Sequence, residues 1–180
     1  MGMAVMSKPL IFVVLLALSC LAAALFGALH NQVSYTIGPD YFYAIKFPQF
    51  RIEALPPRGG AAIVGVLASW WMGPIIGLPA FVIGLFAVPT AGRYFRAGLR
   101  AIAVVFAASG SAALIGLASG IWRVSQGIDP GFWLPAGAEA ADIIRAGSMH
   151  NTSYAGGALG AVIAAGMIWR SARMVRANAT

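Results

Sequence analysis

The two histidines, His30 and His150, are the residues of this sequence best suited to chemistry. Imidazole changes charge near neutral pH and is a common metal ligand, so histidine serves as an acid, a base or a ligand. The surrounding sequences resemble each other, HNQVSY at 30–35 and HNTSY at 150–154. If the helices that carry them are neighbours, the two rings converge. The predicted candidate site comprises His30, Asn31, Tyr35, His150, Asn151 and Tyr154.

Three interpretations of these histidines are open. We favour the first, in which the histidine and asparagine side chains cap helix ends, because helix ends leave amides and carbonyls unsatisfied. In the second, His30 and His150 are metal or haem ligands, although a closed zinc site would also need carboxylates such as Asp142 or Glu139. In the third, they line a binding or catalytic pocket at the outer face. The sequence has no Ser-His-Asp order, phosphate-binding loop or metalloprotease motif, so neither an enzymatic activity nor a cofactor is assigned.

The composition is that of a membrane protein. Of the 180 residues, 60% are hydrophobic and 9% are charged, whereas soluble domains carry about 25% charged residues. Four apolar segments approach or exceed the ~20 residues that a helix needs to cross a bilayer. The sequence therefore predicts an all-α integral membrane four-helix bundle with an aromatic-rich outer loop. It forms a single membrane domain, 1–180, with helices at about 10–29, 61–88, 99–121 and 152–172.

Charge divides the polar segments between the two sides of the membrane. One side, which includes the loop 89–98, carries seven basic residues and no acid: Lys8, Arg93, Arg96, Arg100, Arg170, Arg173 and Arg176. The other side, with the loops 30–60 and 122–151, carries five basic and five acidic residues, so all of the +7 net charge lies on the first side. Basic excess marks the cytoplasmic face, which predicts that both termini are cytoplasmic. The predicted partner of the arginines is the lipid bilayer and its anionic headgroups, not nucleic acid.

The first apolar segment has an alternative interpretation as a cleaved signal peptide. Lys8 would lie in its basic region, and the alanines at 22–24 would offer a small-residue cleavage site. Apolar residues continue to Leu29, which favours a retained membrane helix. The one cysteine, Cys20, cannot form an intrachain disulfide.

Small residues predict close helix packing. Gly-x-x-x-Gly occurs in the second, third and fourth apolar segments, and the first segment has the related pair Ala23 and Gly27. Such spacing serves helix contacts within one chain or between chains. The sequence is therefore compatible with a homo-oligomer or with a membrane-complex partner. The second segment contains Pro74 and Pro79, which predict either a kinked helix or a broken helix that lines a cavity.

The outer loop 30–60 is rich in tyrosine and phenylalanine, which favour the headgroup layer or the mouth of the bundle. A weak alternation of apolar and polar residues predicts an extended segment at 33–37. Asp40 predicts the start of a short helix that runs through Lys46 and ends before Pro48. In the second outer loop, the sequence after Pro135 predicts a short surface helix.

The segment 29–42, LHNQVSYTIGPDYF, resembles a group of small, uncharacterised bacterial inner-membrane proteins, and so does the run 149–157, MHNTSYAGG. The similarity covers about a quarter of the chain. It implies four spans in a bacterial cytoplasmic membrane and brings no known activity. Members of this group often carry an acid where this chain has Asn31, and that difference removes a possible metal ligand.

Two functional classes follow from these observations. The favoured one is a non-enzymatic subunit or accessory protein whose outer face contacts a partner or lipid, because side chains of catalytic type are sparse. The alternative is a small membrane enzyme, or a metal- or haem-binding protein, that uses His30 and His150 at the outer leaflet.

Overall fold

The computed structural model describes residues 6–128 and 134–177, and these residues form helices and no strand. Residues 129–133 of the predicted second outer loop, with Asp129, lie outside the described part, as does the side chain of Arg176. The elements in order are α1 (Lys8–Ile37), α2 (Pro39–Tyr41), a π-helix (Phe42–Lys46), α3 (Phe47–Phe50), α4 (Pro57–Ser69), α5 (Met72–Ala87), α6 (Ala91–Ser125) and α7 (Ala140–Ala177).

Four spans are long and apolar enough to cross a membrane: α1, α4 with α5, α6, and α7 up to Arg170. The chain is thus an all-α, multi-pass membrane bundle, as the sequence predicts. Around the bundle, α1 packs between α4–α5 and α6, and α7 packs between α6 and α5. Most side chains on the outside are apolar, which suits a surface that faces lipid.

The helices extend beyond the apolar segments. Helix α1 continues seven residues past His30 to Ile37, so the predicted extended segment at 33–37 is wrong. Helix α7 begins at Ala140, ten residues before His150, and the predicted surface helix is its first turns. Neither histidine caps a helix end. The added turns of α1 are held by polar contacts inside the protein, among them a bond from Asn31 Nδ2 to Ala61 O of 3.0 Å.

The second span is kinked at Trp70 and Trp71, between α4 and α5. Pro74 has no amide hydrogen to donate to the carbonyl of Trp70, four residues earlier. The amide of Gly73 donates to that carbonyl instead, at 3.3 Å, which tightens one turn. The backbone of both tryptophans stays right-handed, so the two halves form one kinked span, and Pro79 lies within α5 without ending it.

The glycine pairs serve contacts within the chain. Gly27 of α1 and Gly65 of α4 face each other so closely that a Cβ on either would overlap the carbonyl of the other. At the α6–α7 contact, a Cβ on Gly120 would lie 2.9 Å from Arg145 Cα, and one on Gly160 would lie 2.9 Å from Val105 Cα. Only small residues permit the backbones to approach this closely. In lipid there is no hydrophobic driving force between helices, so such close van der Waals packing holds them together.

Candidate functional site

The aromatic segment 39–50 folds back over one end of the bundle. Phe42 and Phe47 are buried and form a cluster with Ala61 and Val64 of α4. The helical segment runs to Phe50, past the expected stop at Pro48, because Pro48 lies in the first turn of α3, where its missing amide hydrogen is not needed. The segment therefore covers the bundle and does not project as a free loop.

Two aspartates fix this cover to the start of α7. The carboxylate of Asp40 accepts a hydrogen bond from the amide of Glu139, at 2.8 Å, and the carboxylate of Asp142 accepts one from the amide of Asp40, at 3.2 Å. Asp142 also pairs with Arg145 at 3.8 Å, one turn later in α7. An anionic cap suits the positive end of a helix, so the cover and α7 stabilise each other.

Beneath the cover, His30 of α1 and His150 of α7 lie in contact. Their ring centroids are 4.5 Å apart and the rings are nearly perpendicular, at 84°. Both are buried, with 7% and 5% of their surfaces exposed. His150 Nε2 is hydrogen-bonded to Ser34 Oγ at 3.1 Å, and the ring of Tyr41 lies 5.0 Å from that of His150. The chain thus brings together two side chains that are 120 residues apart in sequence.

The two imidazoles differ in their hydrogen bonding. Unlike His150 Nε2, the buried Nε2 of His30 has no hydrogen-bond partner among the described residues. The His30 ring also packs on Phe26, with the ring centroids 5.5 Å apart. An unpartnered buried polar atom costs about 1–3 kcal/mol, and such atoms are uncommon in native structures. His30 is therefore the chemically available member of the pair.

The other predicted residues divide between the site and its surroundings. Tyr154 lies near the pair, with its ring 6.4 Å from that of His150. Asn31 bonds the backbone of α4 and has a structural role. Tyr35 bonds the hydroxyl of Tyr43 at 3.1 Å outside the pair, and Asn151 is exposed.

Sequence reasoning missed Lys46, Ser34 and Tyr41. The ammonium of Lys46 lies 5.3 Å above the ring of Tyr41, which in turn packs on His150. Burial lowers the pKa of Lys46 and raises the pKa of Tyr41, because both charged forms lose water. The unusual position of a lysine within an aromatic run was the available signal. It could not show that the run folds back onto the histidines.

A small cavity of about 20 Å³ lies at the histidine pair. It is bordered by Phe26, His30, Asn31, Lys46, Ser69, His150, Ser153 and Tyr154, together with small apolar residues. A larger cavity of about 100 Å³ lies deeper in the bundle and is partly open to its surface. Its wall is almost wholly apolar and is contributed by α1, α4, α5, α6 and α7. The two cavities share Phe26, Ser69, Ser153 and Tyr154, so they adjoin.

The geometry does not favour the predicted metal or haem ligation by His30 and His150. Within 6–128 and 134–177, no group of three His, Cys, Asp or Glu side chains could hold an ion. The carboxylate of Asp142, a possible third ligand, is engaged by Asp40 and Arg145. Two histidines that ligate a haem iron lie on opposite faces of the porphyrin, and rings 4.5 Å apart leave no space for one.

The arrangement is suited to binding a small group by hydrogen bonds. His30 and Lys46 both border the small cavity, and the larger apolar cavity adjoins it. In the described part of the chain no carboxylate contacts either histidine, so the orienting acid of a catalytic triad is missing. Comparisons of the chain with protein-family models, with curated proteins and with solved structures found no match. We therefore infer function from the site itself.

Proposed function

We propose that this multi-pass membrane protein binds a small amphipathic molecule and catalyses no reaction on it. The apolar body of the molecule would occupy the larger cavity, and its polar head would occupy the small cavity at His30 and His150. The observation that carries this proposal is the junction of the two cavities at Phe26 and Tyr154, with an unpartnered imidazole nitrogen at the polar end. Binding sites of this kind combine an apolar wall with a few converging polar groups.

The size and position of the larger cavity support this proposal. A cavity of about 100 Å³ is similar in scale to the ~150 Å³ engineered apolar cavity that stays dry and binds benzene. The wall includes Ala23 of α1, Gly77 of α5 and Gly157 of α7, whose small side chains leave the space open. No charged side chain lines it, so an acyl chain or an apolar ring suits it.

The fold of the aromatic segment favours a ligand over a protein partner. An outer face that recruits a partner through this segment would display its phenylalanines, whereas Phe42 is fully buried and Phe47 is 4% exposed, while Tyr43 is exposed. Tyr41 and Phe42 pack against His150. The segment thus acts as a cover for the site of its own chain.

We further propose that the protein lies in a bacterial inner membrane with both termini in the cytoplasm. The N-terminus of α1, the N-terminus of α6 and the C-terminal part of α7 carry basic residues, whereas the acidic residues of the described part lie in the segments near the cover. This asymmetry supports the orientation, and the resemblance of the segment 29–42 to bacterial inner-membrane proteins supports the compartment. A reporter that is active only in the cytoplasm, fused after Thr180, should be active. A signal only from a periplasmic reporter would overturn the orientation.

The binding proposal can be tested by filling the cavity. Ala23→Leu places a larger side chain into the cavity, and Ala17→Leu makes the same change on the exposed face of the same helix. Each protein is purified in detergent, and its organic extract is analysed by mass spectrometry. We expect an amphipathic molecule near one per chain in the wild type and in Ala17→Leu, and its loss in Ala23→Leu. Identical extracts from wild type and Ala23→Leu would refute the proposal.

A further inference from the structure

The small cavity contains a positive charge without a negative partner. Lys46 is the one charged side chain that borders it. The polar contacts of its ammonium are Gln49 Oε1, at 3.5 Å, and the face of the Tyr41 ring. Burial lowers the pKa of Lys46, which reports how poorly the charge is solvated there.

The carboxylates of the cover and of the start of α7 are already engaged. Asp40 accepts the amide of Glu139, and Asp142 accepts the amide of Asp40 while pairing with Arg145. That pair is the one salt bridge in the part of the chain that the structure describes. The ammonium of Lys46 is half-buried and has no carboxylate partner there, so an anion from outside the chain would be stabilised next to it.

His30 provides a second, independent indication of a ligand. Its Nε2 is buried and has no partner among the described side chains and backbone, and the residue borders the same cavity as Lys46. In the tautomer that carries the proton on this nitrogen, the imidazole has one unused hydrogen bond to donate. Lys46 and His30 thus bring two donors, one charged and one neutral, to the border of the same small cavity.

We propose that the ligand is a long-chain carboxylic acid whose carboxylate lies between Lys46 and His30. One carboxylate oxygen would contact the ammonium, and the other would accept the hydrogen bond from His30 Nε2. The inference rests on the proposed function, because the alkyl chain needs the adjoining apolar cavity.

The size of the small cavity favours a carboxylate over larger anionic head groups. A volume of about 20 Å³ holds one or two water-sized groups. The two oxygens of a carboxylate match that volume, whereas a phosphodiester with its glycerol does not. The first carbons of the alkyl chain would pass Phe26 and Tyr154 into the larger cavity, which those residues also border, and the rest of the chain would leave through its open side.

The head group can be tested with three probes of equal chain length. Palmitic acid, methyl palmitate and hexadecanol are titrated, in radiolabelled form, against the purified full-length protein at mildly alkaline pH. We expect wild type to bind the acid at least about tenfold more tightly than the ester or the alcohol, since charge-assisted hydrogen bonds are the strong ones. In Lys46→Gln the acid should lose that preference, and in His30→Phe its affinity should fall.

Matched control variants separate the effect of losing the Lys46 charge from an effect of misfolding. Arg51→Gln removes a positive charge at an exposed position just after the cover and should keep the preference of the wild type. Lys46→Arg keeps the charge and should retain part of the preference. Residual binding of the ester by Lys46→Gln shows that this variant is folded, and a Lys46→Gln protein that keeps the full preference for the acid overturns the inference.

The outcomes also distinguish this inference from the proposed function. If acid, ester and alcohol bind wild type equally and Ala23→Leu abolishes all three, the binding site stands and the carboxylate assignment fails. If palmitoyl lysophosphatidic acid binds more tightly than palmitic acid, the ligand head is a phosphate and the assignment also fails. If none of the probes binds saturably and the extracts of wild type and Ala23→Leu are identical, the proposed function itself fails.

Discussion

Replacing His30 with phenylalanine should stabilise the ligand-free protein, although the substitution alters its candidate site. The buried Nε2 of His30 lacks a partner in the described structure, which costs about 1–3 kcal/mol relative to an apolar atom in the same place. A phenyl ring keeps the ring contacts with His150, at 4.5 Å, and with Phe26, at 5.5 Å. Its one additional ring atom can extend toward the adjoining cavity of about 20 Å³. We therefore expect the free energy of unfolding to rise by about 1–3 kcal/mol.

The matched comparison is His150→Phe. That ring is equally buried, but its Nε2 is hydrogen-bonded to the hydroxyl of Ser34, which is fully buried. The substitution leaves this buried hydroxyl without that partner, so the free energy of unfolding should fall by about 1–3 kcal/mol. The same substitution at two touching rings is thus expected to change the free energy of unfolding in opposite directions.

The assay is equilibrium unfolding in mixed micelles, with SDS as denaturant and tryptophan fluorescence and circular dichroism as probes. Bound amphiphiles are first removed by extensive exchange into a synthetic detergent, because a ligand that binds only the folded state would stabilise the wild type. If His30→Phe and His150→Phe lower the free energy of unfolding by similar amounts, the unpartnered state of His30 is refuted. Both histidines would then be ordinary structural residues of the bundle.

Three further predictions concern other positions. Lys46→Met should raise the free energy of unfolding of the ligand-free protein in the same micelle assay, because it replaces a half-buried charge that has no carboxylate partner in the described structure with an apolar chain of similar length; a fall would mean that Lys46 has a structural partner. Gly65→Leu should destabilise α1 against α4 by at least about 1–3 kcal/mol, since even a Cβ there overlaps the backbone of Gly27, and an unchanged midpoint would contradict that contact. Tyr94→Phe should cost about 0.5–1.5 kcal/mol, because it removes a buried bond of 3.0 Å to the carbonyl of Phe81; thermal unfolding equal to wild type would refute the bond.

The fold could be predicted from the sequence because the constraints that set it are local. An apolar run must satisfy its backbone internally in lipid, which fixes helices, and the glycine spacing marks the faces that pack closely. Helix ends were less predictable. The turns after His30 are polar enough to suggest a loop, yet contacts such as that of Asn31 with Ala61 hold them in the helix.

Only part of the candidate site could be predicted. The repeated sequence around His30 and His150 indicated that the rings converge if their helices are neighbours, but not that one nitrogen would lack a partner. That difference depends on Ser34, which reaches His150 from a helical turn that the sequence pattern assigned to an extended segment. Lys46 joins the site because the chain reverses after α1, and the cap of Asp40 on α7 holds that reversal. Long-range contacts of this kind leave no periodicity to detect.

The hydrogen bonding of the other interior polar side chains supports a functional role for the site. Several other polar side chains in the interior have partners: Ser19 and Ser153 bond backbone carbonyls of their own helices, and Asn31 bonds α4. His30, with its unpartnered nitrogen, and Lys46, whose ammonium has no carboxylate partner in the described structure, border the same cavity. Departures from otherwise consistent packing are expected at functional sites. If His30→Phe and Lys46→Met both stabilise the ligand-free protein and both weaken binding of palmitic acid, the unpartnered nitrogen and the unpaired ammonium are both explained by the ligand that they bind.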